Sequence, residues 1–250
     1  MSASLHVVRA GRGPRVLFIH GSAADHMTWS IQLASRLREH FEMIAYDRRV
    51  DATSVEDHAR DAATVICDGE PPILAGSSFG SVIALELMRT RPELCRGAIL
   101  IEPPMAASDD LAAASTAFLD EFDRRAAALG GPAAGEFFLR FVLGDAVFER
   151  MPRAFQERAA SKWAEIRADS AALIAYKPRY SELATVTVPT LLLGGERSAP
   201  YFRATLDALL AALPQARLEV VPSAGHMLHA EAARKYADLL IGFAAQLQIG

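Results

Sequence analysis

Apolar residues along this chain fall into two alternating rhythms. The apolar run at residues 16–20 is too short for a helix, and the segments 41–46, 72–77, 97–102, 190–194 and 216–221 are short and strand-like as well. Glycine, proline or polar residues bound them, so each reads as a buried strand. Between them lie stretches with helical spacing. In residues 28–39, Trp29, Leu33 and Leu37 recur every four positions, with Ile31 and Ala34 beside them. Ser54-Val55-Glu56-Asp57 has the form of a capping box, opening a helix that runs to about Cys67. Further helices are expected over 79–90, 201–213 and 228–247.

Apolar strands alternating with helices of ten or more residues predict the α/β class: a mostly parallel twisted sheet with helices on both faces. Chemistry in such a fold gathers at the carboxyl ends of the strands. The interval 105–188 departs from the rhythm. It is rich in alanine, has helical periodicity and the aromatics Phe118, Phe122, Phe137, Phe138, Phe141, Phe148, Phe155 and Trp163, and shows no strand pattern. Strands precede and follow it. Residues 1–104 and 189–250 are therefore expected to form one core, with 105–188 inserted as a helical cap.

Composition narrows the function. With 250 residues, 51% hydrophobic and 22% charged, the chain suits one large core. Its net charge of −4 supplies no positive field for phosphate backbones or anionic lipid, so neither nucleic acid nor membrane is expected as a partner. The first sixteen residues lack a leader pattern, and a cytoplasmic location is expected. Cys67 and Cys95 lack metal-ligand spacing and read as buried, reduced and inert. Neither a metal nor an organic cofactor is expected.

The segment Gly76-Ser77-Ser78-Phe79-Gly80 fits G-x-S-x-G and lies between a predicted strand and a predicted helix. A sharp strand-to-helix turn strains its central residue, and small residues on either side leave it room. Ser78 is thereby expected to stand above the sheet, beside the positive end of a helix.

Together, His20-Gly21-Ser22, Gly76-Ser77-Ser78-Phe79-Gly80 and Ala224-Gly225-His226 resemble the signature elements of the α/β-hydrolase superfamily, in the same order and over nearly the whole chain. The resemblance implies an α/β-hydrolase fold, with an oxyanion hole built from the backbone N–H groups of Ser22 and Phe79. Two such donors are worth about 3 to 4 kcal/mol each. It also places the triad base at His226, after the last strand. Serine needs such a base, because its hydroxyl is a poor nucleophile at its own pKa. His229 is the weaker candidate, reading as a surface or supporting residue; His6, His26, His40 and His58 read as surface or loop residues.

The acid departs from the common pattern. After the strand ending at Gly194 the chain reads Gly195-Glu196-Arg197-Ser198, with Arg197 where an aspartate usually stands. Two carboxylates remain candidates, Glu196 and Glu102. Ile101-Glu102-Pro103-Pro104 resembles the arrangement in some haloalkane dehalogenases and fungal resorcylic-lactone hydrolases, which carry a glutamate at the end of this strand. Strands lie about 4.8 Å apart, so a glutamate on the neighbouring strand reaches an imidazole between them. Glu102 is preferred.

The expected activity is hydrolysis of a small apolar ester or lactone through an acyl-enzyme, with Ser78 as nucleophile. Serine at position 78 argues against dehalogenation, which this fold performs with a carboxylate nucleophile. A carbon–carbon hydrolase and a slow-turnover ligand receptor or regulator are the alternatives. Phe137, Phe138, Phe141 and Trp163 are candidates to line an apolar pocket, or else pack the insertion onto the sheet.

Overall fold

The computed structural model describes residues 5–66, 69–176 and 180–247. Seven strands, β1 (Val7–Gly11), β2 (Arg15–Ile19), β3 (Glu42–Tyr46), β4 (Ile73–Ser77), β5 (Gly97–Ile101), β6 (Thr190–Gly195) and β7 (Ala216–Val221), form one sheet in the order β1-β3-β2-β4-β5-β6-β7. Only β1 is antiparallel, pairing with β3 at the edge. The six predicted strands are all present. β1 was not predicted, because Val7-Val8-Arg9-Ala10-Gly11 alternates at an exposed edge and lacks the continuous apolar run of a covered strand.

Side chains from one strand alternate between two cores. Leu17, Ile19, Leu74, Leu100 and Leu192 face one core, while Val16, Phe18, Ala75, Ile99 and Leu193 face the other. This period of two, with both faces buried, is why these strands contain almost no polar residue. Full burial of each large aliphatic side chain contributes about 1.5–3 kcal/mol.

The helices are α1 (Ser30–Ala34), α2 (Val55–Ile66), α3 (Phe79–Thr90), α4 (Asp109–Leu129), α5 (Gly131–Leu143), α6 (Asp145–Arg150), α7 (Arg153–Ser161), α8 (Trp163–Ala175), α9 (Pro200–Ala212), α10 (Leu228–Glu231) and α11 (Ala233–Leu247). Five of them, α4 to α8, lie between β5 and β6 with no described strand among them. The helix expected over 28–39 is in fact α1 flanked by two 3-10 turns. Ser35 breaks it: extended at ψ −179°, its hydroxyl donates to Gln32 O and accepts from Leu37 N. The helix expected over 228–247 likewise breaks at Ala232, between α10 and α11. Ser54 does cap α2 through Asp57 N, but Asp57 reaches back to Thr53 N rather than to Ser54 N.

Cys95 is a free, half-buried thiol whose pKa burial pushes up to about 12, in keeping with an inert residue. Cys67 lies outside the described residues. No described helix is long and apolar enough to cross a membrane.

Candidate active site

Ser78 occupies the turn between β4 and α3 with φ 52° and ψ −121°, a conformation costing a non-glycine residue on the order of 1–3 kcal/mol. Its surroundings hold it there. Ser78 N donates to Ile101 O at 2.8 Å, and the Ser81 hydroxyl donates to the same carbonyl at 3.0 Å, tying the turn to β5. Gly80 is required by close approach: a Cβ there would lie 2.2 Å from Ile19 O on β2.

Glu102 emerges beside it. Ser77 pairs with Ile101 in the β4–β5 register, so Ser78 and Glu102 leave adjacent strands at the same level. Glu102 also has positive φ, at 45°, and its side chain is almost fully buried. One carboxylate oxygen, Oε1, accepts from Gly195 N at 2.7 Å; the other, Oε2, lies 2.5 Å from His226 Nδ1. The β7 loop delivers His226 to this point, held by Arg197 N donating to Ala224 O. Phe202 of α9 stacks on the imidazole at 4.3 Å. With Nδ1 engaged, the ring retains Nε2 for a second partner.

Glu196 is placed elsewhere. It is exposed, and its carboxylate accepts from Ser223 N at 2.8 Å. Arg197, in place of the aspartate of the common pattern, pairs with Glu231.

The loop after β2 closes the site from the other side. His20 is buried, and its Nε2 accepts from Arg48 N at 3.2 Å while its Nδ1 donates to Gly21 O at 2.8 Å. Burial, followed by the Arg48 charge, holds this imidazole well below its ordinary pKa, hence neutral. The Ser22 hydroxyl donates to Asp169 Oδ2 of α8 at 2.7 Å, and Phe79 is the first residue of α3, where backbone N–H groups have no intrahelical partner.

One histidine differs from expectation: His58 is buried rather than on the surface or in a loop, and His229, for which a surface or a supporting place was expected, is buried too. Burial, with Arg48 next, pushes His58 down to about 4; burial, with His226 next, pushes His229 down to about 3. Among the described residues neither ring nitrogen of His229 has a partner, and the ring packs against Trp29 at 4.6 Å.

The aromatics of the insertion pack largely on one another. Phe118 contacts Phe137 at 4.9 Å and Phe141 at 4.6 Å, while Phe137, Phe138 and Trp163 adjoin the small cluster of Phe122, Ala134 and Ile166. Phe141 is 55% exposed. His6, His26 and Asp47 have ligand atoms within 4.8 Å of one another, the metal-compatible group among the described residues. They lie outside the Ser78 cluster, and Asp47 Oδ1 is already engaged by His26 N and Nδ1.

Arg48 and Asp169, central to this loop, escaped the sequence reading. Ser22 and Asp169 stand 147 positions apart, so no spacing relates them; the available signal was Asp47-Arg48-Arg49, three charges directly after a buried strand.

A carboxylate-held imidazole, with a serine leaving the adjacent parallel strand at the same level, supplies the residue types that acyl transfer employs. A family model described as "Alpha/beta hydrolase family" matches residues 16–239. The uncharacterized hydrolase YraK of Bacillus subtilis is 30% identical over 113 residues, 40% of this chain and 41% of that protein. The pimeloyl-[acyl-carrier protein] methyl ester esterase of Stenotrophomonas maltophilia is 25% identical over 97% of both chains. Among solved structures, a thermophilic esterase from Thermogutta terrifontis superposes with a TM-score of 0.79 at 22% identity, covering 97% of this chain and 93% of its own.

Proposed function

Because this chain belongs to the alpha/beta hydrolase family, we propose that it is a serine hydrolase cleaving a carboxylic ester or lactone through an acyl-enzyme. The observation that carries the reading is the Glu102–His226 pair set beside the strained Ser78. Ser78 Oγ attacks the carbonyl carbon while His226 Nε2 takes its proton, and Glu102 holds the imidazole by its Nδ1–H. The N–H groups of Ser22 and Phe79 receive the oxyanion, and the N-terminus of α3 adds its positive dipole end. Collapse of the tetrahedral intermediate expels the alkoxide, which His226 protonates. Water, deprotonated by the same imidazole, then releases the acid. In this reading residues 105–188 form the cap over the site, and the substrate is a small apolar molecule.

Turnover of p-nitrophenyl acyl esters and labelling by a fluorophosphonate test the proposal. The wild type is expected to turn over repeatedly and to be labelled at Ser78, and Ser78→Ala to do neither. Turnover retained by Ser78→Ala would overturn it, and labelling without repeated turnover would favour a ligand receptor.

A further inference from the structure

The strongest unexplained feature lies where the insertion meets the loop after β2. Asp169 of α8 and Arg48, which follows β3, form a bidentate pair with both side chains 5% exposed. A buried ion pair contributes little to stability after desolvation, so its partners matter more than its energy. Those partners converge on the proposed oxyanion hole. Arg48 Nη2 donates to Gly21 O at 3.2 Å, and the guanidinium lies 4.7 Å from the Phe79 ring centre. Asp169 accepts from the Ser22 hydroxyl.

The Gly21 carbonyl and the Ser22 N–H belong to one peptide unit. That unit is planar and trans, so its C=O and N–H point in opposite directions. Two donors, His20 Nδ1 and Arg48 Nη2, fix the oxygen end. Fixing the oxygen aims the N–H. Asp169 holds Arg48 for this task and pins the Ser22 side chain as well. The rest of the loop is fastened to the same insertion: Ala23 packs into its apolar clusters, Ala24 O accepts from Lys162 Nζ at 2.9 Å, and Asp25 pairs with Arg158.

From these contacts we infer that Asp169 is a positioning residue for the reaction, reaching across from the insertion to orient the Ser22 N–H through Arg48 and the Ser22 hydroxyl. The inference rests on the serine-hydrolase reading above. It makes the insertion a contributor to transition-state stabilisation as well as a cover.

The test measures kcat and KM for a p-nitrophenyl ester, per serine titrated by fluorophosphonate, in Asp169→Ala, Asp169→Asn, Ser22→Ala and the double variant Ser22→Ala/Asp169→Ala. Asp169→Ala is expected to lower kcat by about 100-fold with little change in KM, since misplacing one oxyanion donor costs about that much. Asp169→Asn keeps an acceptor for Ser22 but no charge for Arg48, and should fall between Asp169→Ala and the wild type. Ser22→Ala, which deletes only a hydroxyl, should lose about 10-fold and keeps the test decisive if Asp169→Ala does not fold. The double variant should lose less than the product of its parents, since both act through one contact. Affinity for a trifluoromethyl ketone, whose adduct places an oxyanion in the hole, should fall in parallel with kcat.

A purely structural Asp169 would lower the melting temperature and leave kcat per titrated serine at the wild-type value, and that outcome, in Asp169→Asn and Ser22→Ala alike, overturns the inference. Ser78→Ala separates the two claims. If it is inactive while the Asp169 and Ser22 variants are normal, only this inference fails; if it remains active, the serine-hydrolase reading fails first.

Discussion

His226 Nδ1 lies 2.5 Å from Glu102 Oε2, with both side chains nearly closed to solvent. A carboxylate in that position keeps a proton on Nδ1 and leaves Nε2 as the basic nitrogen. Glu102→Gln offers an amide N–H to Nδ1 and so favours the wrong tautomer. The expected result is a loss of roughly four orders of magnitude in kcat with little change in fold, while Glu196→Gln stays close to wild type. Ester turnover per titrated serine checks both, and the reverse ranking would move the acid to Glu196.

Two glycines beside the Ser78 turn, Gly80 and Gly21, should fail differently. A Cβ at Gly80 would stand 2.2 Å from the Ile19 carbonyl, backbone of a central strand that has no room to retreat. Gly80→Ala is expected to cost more than about 3 kcal/mol in urea unfolding, or to prevent folding. At Gly21 the nearest atoms are Ser77 O at 3.0 Å and Ser78 Cβ at 3.1 Å, which a small shift relieves. Gly21→Ala should therefore lose only about 1 kcal/mol of stability. Because the shift falls on Ser78 itself, kcat/KM should drop by about 10-fold or more. Wild-type kcat/KM in a folded Gly21→Ala would contradict this account.

What the sequence made legible follows from the range of each signal. The strand–turn–helix around Ser78 is local, and both its motif and its flanking periodicity lie within about twenty residues. The covered strands β2 to β6 were legible because their two buried faces demand apolar residues; the edge strands carry no such demand, and β1 was missed while β7 was read as a strand although Arg217 and Glu219 interrupt it. Glu102 was favoured by its place at a strand end next to Ser78's strand, a relation that parallel pairing of β4 and β5 makes concrete. The Arg48–Asp169 pair was invisible, because it joins residues 121 positions apart through a contact that exists only once the insertion has docked. The burial of His58, and the choice between a surface and a supporting place for His229, were not legible for a related reason. A histidine on a helix carries no sequence mark of which face it shows, and tertiary packing decided both.

Tyr176, at the end of α8, donates its hydroxyl to Glu86 Oε2 at 2.8 Å, and Arg89 holds the same carboxylate with two further hydrogen bonds. Glu86 is almost fully buried on α3, so the tyrosine supplies a charge-assisted bond that water cannot readily replace. Tyr176→Phe should cost about 1.5 to 3 kcal/mol in urea unfolding and leave kcat per titrated serine unchanged. A large loss of kcat would instead show that this anchor also orders the site.

Three buried histidines set an acid limit on stability. His20, His58 and His229 all have folded-state pKa values below the ordinary 6.5: His58 at about 4, His229 at about 3, and His20 well below its usual value, each chiefly because burial penalises the charged ring. In the unfolded chain they titrate near 6.5. Above that pH both states are neutral and the stability is fully present. As pH falls from 6.5 toward 4 the unfolded chain binds protons that the folded one refuses, so stability declines by up to about 1.4 kcal/mol per pH unit for each histidine. With three acting together the slope reaches at most about 4 kcal/mol per pH unit, in a range above most carboxylate titrations. Urea midpoints at pH 7, 6 and 5 should therefore drop steeply. Replacing His58 with glutamine should flatten the curve by up to one proton's worth, whatever it does to the absolute stability at pH 7. A midpoint that stays level from pH 7 to pH 5 would mean these imidazoles accept protons in place, through local opening or water that reaches them.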